Sequence, residues 1–203
     1  MRPVLPLLLL ATLVCAADPL YVQDFDQAEA VPEDLMLNGE FSLQADGAGK
    51  SLALPPQVLE TYNLLFGPGR KEAASVSARI LGTAKGRQAP AFGVGLNGVN
   101  GIILRLSPAK NQVELLVGDT AIASQAYAWK SDVWTCFRLR WRMQDGTCLA
   151  EGRVWAAGTA EPEAWTITAT MEQAPPAGRA TAWGIPYGGK PILFDDLRVE
   201  VVP

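Results

Sequence analysis

Residues 134–155 read WTCFRLRWRMQDGTCLAEGRVW and indicate the class of fold. On both sides of Asp145-Gly146, apolar or small residues alternate with polar ones, as in two strands that each bury one face. Asp-Gly is a typical two-residue hairpin turn, because both residues tolerate the positive φ values that this turn requires. The stretch therefore predicts an antiparallel hairpin in which Arg140 lies directly opposite Glu151.

The same register separates the two cysteines of this hairpin. Cys136 falls opposite Trp155, about seven residues and on the order of 20 Å along the strand from Cys148. The two side chains also project from opposite faces. An even pair of cysteines in an exported chain is usually bonded, but this geometry is too wide for a disulfide, and we expect two free thiols.

Outside the hairpin, alternation with period two continues from about residue 70 to the end of the chain, and turn residues recur about every eight to twelve positions. This pattern predicts strands at 75–80, 92–96, 102–106, 113–117, 137–143, 165–171 and 193–202. The less regular segment 32–70 predicts two or three short strands, around Phe41, Leu52 and Leu64. No stretch after residue 17 has a helical period longer than two turns. We therefore expect an all-β, two-sheet antiparallel sandwich.

The segment Gly93-Val-Gly-Leu-Asn-Gly98 matches the dinucleotide-binding fingerprint G-x-G-x-x-G. That fingerprint requires a helix after its glycines, and a strand follows here instead, so we interpret the segment as a hairpin. Matching the apolar faces pairs Phe92 with Leu104 around an odd-length loop. On this strand Gly93 and Gly95 point away from the core and leave a flat surface where a ligand could approach the backbone.

Several motifs occur in order along the chain: Gln23–Asp26, Trp134–Trp141, Gly152–Trp155, Glu161–Trp165 and Phe194–Val199. This series resembles the laminin-G-like modules of the concanavalin A-like lectin/glucanase superfamily, as found in exported bacterial proteins. The resemblance spans roughly residues 20–202 and is specific over 134–199. It implies a jelly-roll sandwich, and the superfamily often binds or cleaves glycans on its concave sheet.

A candidate ligand-binding face follows from strand parity. Its residues are Trp155, Arg138, Arg140, Arg153, Gly93 and Gly95. The exposed tryptophan could stack on a sugar ring, and the arginines could donate to hydroxyls or to the carboxylates of acidic sugars. The alternative is a solvated face on which the tryptophan packs against the arginine stems.

Three carboxylates suggest a structural calcium site. Because side chains alternate between the two faces of a strand, Asp195 is predicted to point inward at the start of the last strand. A buried carboxylate needs a cation or several hydrogen-bond donors. Asp24 and Asp26 lie on the first strand, which the resemblance places beside the last one. Together the three could hold calcium through oxygen ligands. The alternative is that Asp195 accepts hydrogen bonds from loop amides.

Composition excludes several classes of function. The chain has no histidine, which excludes Ser–His–Asp and Cys–His nucleophiles and His-ligated zinc. Its net charge of −4 makes a nucleic acid a poor partner. The glucanases of the superfamily carry a clustered E-x-D-x-(x)-E, and this sequence has none, so no catalytic residue is assigned.

The sequence thus favours a non-catalytic binding module, with a glycan or a cell-surface component as its partner. A glycoside-processing enzyme resembling 3-keto-disaccharide hydrolase-like domains is one alternative, and two carboxylates approaching each other in a cleft would favour it. A structural or interaction protein of the cell envelope is another, favoured by a shallow apolar patch without a cleft.

The first seventeen residues resemble a secretory signal peptide. Arg2 is followed by an apolar run over residues 4–14 and by the small-residue pattern Cys15-Ala16-Ala17. The run is too short to span a bilayer, and no later stretch is long enough. We expect residues 1–17 to be removed, residues 18–203 to form one domain, and the product to be secreted or periplasmic without a membrane span.

Overall fold

The computed structural model describes residues 18–47, 49–56, 58–187 and 189–202. The predicted signal peptide lies outside these residues. The described strands are β1 (Tyr21–Gln23), β2 (Met36–Asn38), β3 (Ser42–Asp46), β4 (Gly49–Leu54), β5 (Tyr62–Arg70), β6 (Ala74–Leu81), β7 (Ala91–Leu96), β8 (Ile102–Ser107), β9 (Gln112–Val117), β10 (Thr120–Ala126), β11 (Thr135–Gln144), β12 (Thr147–Ala156), β13 (Ile167–Met171), β14 (Gly178–Ile185) and β15 (Ile192–Val201). A 3-10 turn, Pro108–Lys110, lies between β8 and β9.

These strands form two antiparallel sheets that pack face to face, which confirms the predicted sandwich. The eight-stranded sheet has the order β13-β12-β11-β6-β15-β4-β3, with β1 also paired to β15. The seven-stranded sheet has the order β10-β9-β8-β7-β14-β5-β2. The pairing of β1 with β15 confirms that the first strand lies beside the last. Within the described residues, no helix is long and apolar enough to cross a membrane.

The hairpin at 134–155 forms in the predicted register. Arg140 pairs with Glu151, and Cys136 pairs with Trp155. Asp145 and Gly146 both have positive φ values, 50° and 77°, as the two-residue turn requires. Both Cys136 and Cys148 are free thiols, as expected.

The core lies between the two sheets and is filled by alternate residues of both. Phe92 of β7 and Phe137 of β11 meet edge to face, with ring centroids 5.9 Å apart. Small residues sit opposite large ones: a Cβ on Gly152 would lie 2.6 Å from Cδ1 of Leu104. This close fit of large against small side chains holds the two sheets at one spacing.

The structure corrects the sequence prediction at two places in the seven-stranded sheet. β10 and β14 were not predicted, and β14 is a central strand. The hairpin after β7 is also shifted by two residues, because Phe92 pairs with Leu106 rather than with Leu104. The same residues of β7 and β8 nevertheless face the core as predicted, because side chains alternate with period two and a shift of two residues does not exchange the faces.

The cause of the shift is the anchored loop 97–101. The side-chain amide of Asn97 donates to the carbonyl oxygens of Arg70 and Pro176, at 3.1 and 2.8 Å. The backbone N–H of Gly98 donates to the carbonyl of Arg179 at 2.8 Å. These three bonds, to Arg70 and to the segment 176–179, hold a five-residue loop where the local pattern predicted three residues.

Candidate functional site

The residues of the predicted ligand-binding face lie on two different sheets. Trp155 and the three arginines lie on the outer face of the eight-stranded sheet, whereas Gly93 and Gly95 belong to β7 of the seven-stranded sheet. The structure therefore does not bring the six residues together. The two groups are separate candidates and are considered in turn.

On the eight-stranded sheet, Glu151 is buried among arginines. Its Oε2 accepts from Nε of Arg140 at 2.6 Å and from Nε of Arg142 at 3.0 Å. Burial by itself would raise the pKa of this carboxyl, but the two guanidinium groups outweigh burial and lower the pKa. Glu151 is therefore ionised at neutral pH and holds both arginines on the sheet.

The other two arginines of this face also have carboxylate partners. Arg138 forms ion pairs with Glu161 and Glu200, each at 2.9 Å. Arg153 forms an ion pair with Glu161 at 2.7 Å. Trp155 is half-buried beside them rather than packed between the sheets. The three guanidinium groups thus have carboxylate partners within the protein, and recognition of a sugar by this face stays a prediction.

The predicted strand 165–171 would place Trp165 on its apolar, core-facing side, but Trp165 lies on this outer face instead. Its ring is covered by the guanidinium groups of Arg140 and Arg153, with their central carbons 4.4 and 4.0 Å from the ring centroid. The apolar alternation 165–171 suggested a strand through residue 165, but β13 begins only at Ile167. The alternation of core-facing and outward residues therefore does not include Trp165, which forms cation–π contacts instead.

The structure does not assemble the predicted calcium site. Asp195 is 1% exposed, but it faces the outer side of the eight-stranded sheet, where Nη2 of Arg79 donates to its Oδ2 at 2.5 Å. A β-bulge between Asp195 and Arg198, with Asp196 at φ 51°, reverses the parity that pointed Asp195 inward. Burial raises the pKa of Asp195 to about 6, against the opposing effect of Arg79.

The other two predicted calcium ligands follow β1, which ends at Gln23, and so are not on the first strand. Asp24 and Asp26 are exposed, and Asp26 accepts from the backbone N–H of Lys50 at 3.3 Å. No group of three or more acidic, histidine or cysteine side chains in the described part of the chain could hold a metal ion. These carboxylates therefore do not fit calcium, and an arginine provides the positive charge at Asp195.

A cleft of about 240 Å³ opens on the outer face of the seven-stranded sheet. It is lined by Thr61, Asn63, Val99, Asn100, Ile103, Arg105, Leu116, Gly118, Asp119, Thr181, Trp183 and Ile185. Loop 97–101 and the turn after β9 contribute to its wall, and the central strands of the sheet form its floor. The anchored loop described above therefore also fixes one rim of the cleft.

Strand register explains why a cleft exists at this place. One row of paired residues crosses five adjacent strands in the order Asn63, Trp183, Gly93, Arg105 and Glu114. Side chains opposite one another on neighbouring strands share a face of the sheet. Gly93, in the middle of the row, contributes no side chain of its own and is buried between its neighbours.

The next row repeats the arrangement, with Gly95 between Thr181 and Ile103. A Cβ at Gly95 would overlap the hydroxyl of Thr181, and a Cβ at Gly93 would overlap the carbonyl oxygen of Leu104. Glycine at both positions thus permits the neighbouring strands and side chains to approach. Both glycines are buried beneath residues that line the cleft, and a flat ligand-binding surface at Gly93 and Gly95 stays a prediction.

Trp183 is a residue of the cleft that sequence reasoning did not assign to a site. It is 5% exposed, lines the cleft, and its indole N–H has no hydrogen-bond partner among the described residues. The hydroxyl of Thr181 is likewise buried without a partner there. Buried polar groups normally have partners, so two that line one cleft mark a place where a ligand or water could bond. The alternation of Thr181 and Trp183 with alanines was the available signal.

Arg105 brings a fixed positive charge to the cleft. Its Nε donates to Oε2 of Glu114 at 2.7 Å, and Glu114 also accepts from Lys110 at 3.0 Å and from Gln112 at 2.7 Å. Burial opposes the charge of Glu114, but these donors outweigh it and lower the pKa of the carboxyl. An ionised, buried glutamate thus positions the guanidinium at the wall of the cleft.

Comparison by sequence gives no relative for this chain. No protein-family model matches it. No curated protein matches it either.

Comparison by structure shows the fold. The carbohydrate recognition domain of Emp47p superimposes with a TM-score of 0.61 at 12% identity, over 89% of this chain and 95% of that one. Lectin II from Ulex europaeus gives 0.61 at 10% identity, over 90% and 99%. The carbohydrate-binding module CBM66 from Bacillus subtilis gives 0.55 at 12% identity, over 82% and 95%. The chain therefore has the concanavalin A-like jelly-roll fold of lectins and carbohydrate-binding modules.

Proposed function

We propose that this protein is a non-catalytic carbohydrate-binding module and that its ligand occupies the cleft on the seven-stranded sheet. The observation that carries the proposal is the row in which Gly93 separates the indole of Trp183 from the guanidinium of Arg105. A sugar ring presents an apolar face and a rim of hydroxyls, so a site that recognises it combines an aromatic surface with polar groups.

The rest of the cleft supplies such polar groups. Asn63 and Asn100 can donate and accept, Thr181 offers a hydroxyl, and Asp119 accepts. The volume lies slightly below the ~300–1,000 Å³ of typical small-molecule sites and suits one or two sugar rings that stay partly in solvent. The described structural neighbours, which include lectins and a carbohydrate-binding module, support the same ligand class.

Binding without hydrolysis is the form of the proposal that the cleft supports. Glycosidases use two carboxyl groups about 5 to 9.5 Å apart. Among the described residues that line the cleft, Asp119 is the one carboxylic acid. Glu114 accepts hydrogen bonds from three donors, Arg105 among them, and does not line the cleft. The arrangement offers hydrogen bonds to hydroxyls but no pair of carboxyl groups for acid and nucleophile.

We also propose that the protein is exported, with residues 1–17 as its signal peptide and residues 18–203 as one domain of the laminin-G-like type. The charge of Arg2, the apolar run at 4–14 and the small residues at 15–17 support export. The motifs at 134–199 support the laminin-G-like type. The mass of the protein recovered from a secreting host should correspond to a chain that begins at Asp18, and retention of residues 1–17 would contradict the proposal.

A glycan array with two tryptophan variants tests the function and its location. Trp183→Ala should weaken binding by about 1–3 kcal/mol, the range for planar rings stacked on aromatic side chains, and Trp155→Ala should leave it unchanged. Circular dichroism and melting curves check that each variant folds. If Trp183→Ala is unstable, Asn63→Ala removes a polar group from the same cleft without touching the core.

The outcomes separate the two faces. Loss of binding in the Trp155 variant alone would move the site to the eight-stranded sheet. Absence of binding to any glycan by the unaltered protein would overturn the proposed function itself.

A further inference from the structure

We infer that the cleft selects a sugar that carries a carboxylate, with the terminal nitrogens of Arg105 binding this carboxylate and Glu114 acting as the positioning residue. This inference rests on the proposed function of the cleft and names its ligand class. It assigns the recognition of acidic sugars to the seven-stranded sheet, where the sequence-based prediction had placed it among the arginines of the other sheet.

The first observation is how Arg105 is held. Among the described residues its guanidinium is engaged only through Nε, which donates to Glu114, while the side chain is 28% exposed at the cleft. A guanidinium presents five N–H donors in a planar fork, and a bond at Nε leaves the two terminal nitrogens available. Paired terminal N–H groups match the two oxygens of a carboxylate, which is the geometry of the strongest arginine contacts.

The second observation is that Glu114 is buried and accepts hydrogen bonds from three side chains. Its side chain is 4% exposed although it lies on an outer face, and it takes donors from Arg105, Lys110 and Gln112. A buried ionised carboxylate is costly unless several donors satisfy it. Lys110 and Gln112 fix the position of Glu114, and Glu114 in turn holds Nε of Arg105. The guanidinium is therefore oriented before a ligand binds, which lowers the entropic cost of binding.

The third observation is the spacing of the row that contains Arg105. Gly93 separates Arg105 from Trp183, so the guanidinium and the indole stand on strands two positions apart, about 10 Å between backbones. We place the sugar between these two cleft-lining side chains, with its carboxylate toward the guanidinium of Arg105. Asp119, which also lines the cleft, lies beyond the end of β9 and outside the row that contains Arg105.

Matched acidic and neutral oligosaccharides provide the test. The probes are oligogalacturonate and oligoglucuronate, each compared with its methyl ester, which removes the charge and keeps the sugar. In calorimetric titrations the protein should bind at least one acid about tenfold to a hundredfold more tightly than its ester, as expected for charge-assisted hydrogen bonds. Arg105→Gln should bring this ratio close to one, and Arg105→Lys, which keeps the charge but loses the fork, should give an intermediate ratio.

The chain offers a matched control for Arg105. Arg142 is also 28% exposed and also donates Nε to a buried glutamate, but it lies on the other sheet. Arg142→Gln should keep the ratio of the unaltered protein, and loss of the ratio in this variant would overturn the inference.

A second pair of variants tests the positioning role. Glu114→Gln should lower the acid-to-ester ratio, whereas a glutamate that only stabilises the fold would lower the melting temperature and leave the ratio unchanged. Glu151→Gln, which alters the equivalent buried glutamate of the other sheet, should change the melting temperature alone.

The remaining outcomes distinguish this inference from the proposed function. If the protein binds only neutral glycans, or binds acid and ester equally, the selection of a carboxylate is refuted and a carbohydrate-binding cleft remains. If the protein binds no glycan on the array or in titration, the proposed function and this inference are both refuted.

Discussion

Replacing Glu151 with glutamine tests whether the arginine network of the eight-stranded sheet stabilises the fold. The variant loses the negative charge that holds Arg140 and Arg142 at 2.6 and 3.0 Å. Breaking a buried ion pair costs about 3–5 kcal/mol when the remaining charge is trapped. Both arginines are more than a quarter exposed and can turn toward water, so we expect the smaller loss of about 2–3 kcal/mol.

Urea unfolding at neutral pH measures this loss directly. For a protein of this size, a loss of about 2–3 kcal/mol in the free energy of unfolding corresponds to a fall in melting temperature of about 4–12 °C. Arg142→Gln is the control, because Glu151 then keeps Arg140, and we expect a loss below about 1.5 kcal/mol. A loss below about 1 kcal/mol in Glu151→Gln, or reduced glycan binding at unchanged stability, would refute the interpretation of this face as structural.

Three further predictions concern the rest of the sandwich. Thiol titration of the denatured, unreduced protein should find Cys136 and Cys148 both free, and a missing thiol would contradict the hairpin register. Trp141→Ala should cost about 3–5 kcal/mol in urea unfolding because it empties core volume, whereas Trp155→Ala should cost much less. As the pH falls from about 7 to about 5, Asp195 should raise the free energy of unfolding by about 1 kcal/mol, because its pKa is about 6 in the folded protein and about 3.9 in the unfolded chain. No histidine titrates in this window, so an unchanged rise in Asp195→Asn would disprove the assignment.

The sequence predicted those features that depend on local pattern. Strict alternation and the Asp145-Gly146 turn specify the hairpin at 134–155, so its register and the separation of its cysteines were correct. The loop 97–101 was wrong by two residues because Asn97 is anchored to segments far away in the chain, and no local pattern reveals such bonds.

The candidate site was predicted only in part, for physical reasons that concern particular strands. Gly93 and Gly95 were recognised because a glycine pair in a strand is visible in sequence. Trp183 was missed because the inward residues of β14 are alanines and a glycine, which weaken the apolar alternation that identifies a strand. Asp195 was placed on the wrong face because a bulge changes parity without a clear sequence signal.

The row of residues across the seven-stranded sheet has a consequence for how such a protein can diverge. Every position that lines the floor of the cleft alternates along its strand with a position that fills the core, so the two sets can change independently. Substitutions at the outward positions of β7, β8 and β14 can create a new ligand preference while the inward residues keep the sandwich intact. The chain has the jelly-roll fold of lectins and of a carbohydrate-binding module at only 10–12% identity, so this fold does not require one particular set of outward residues.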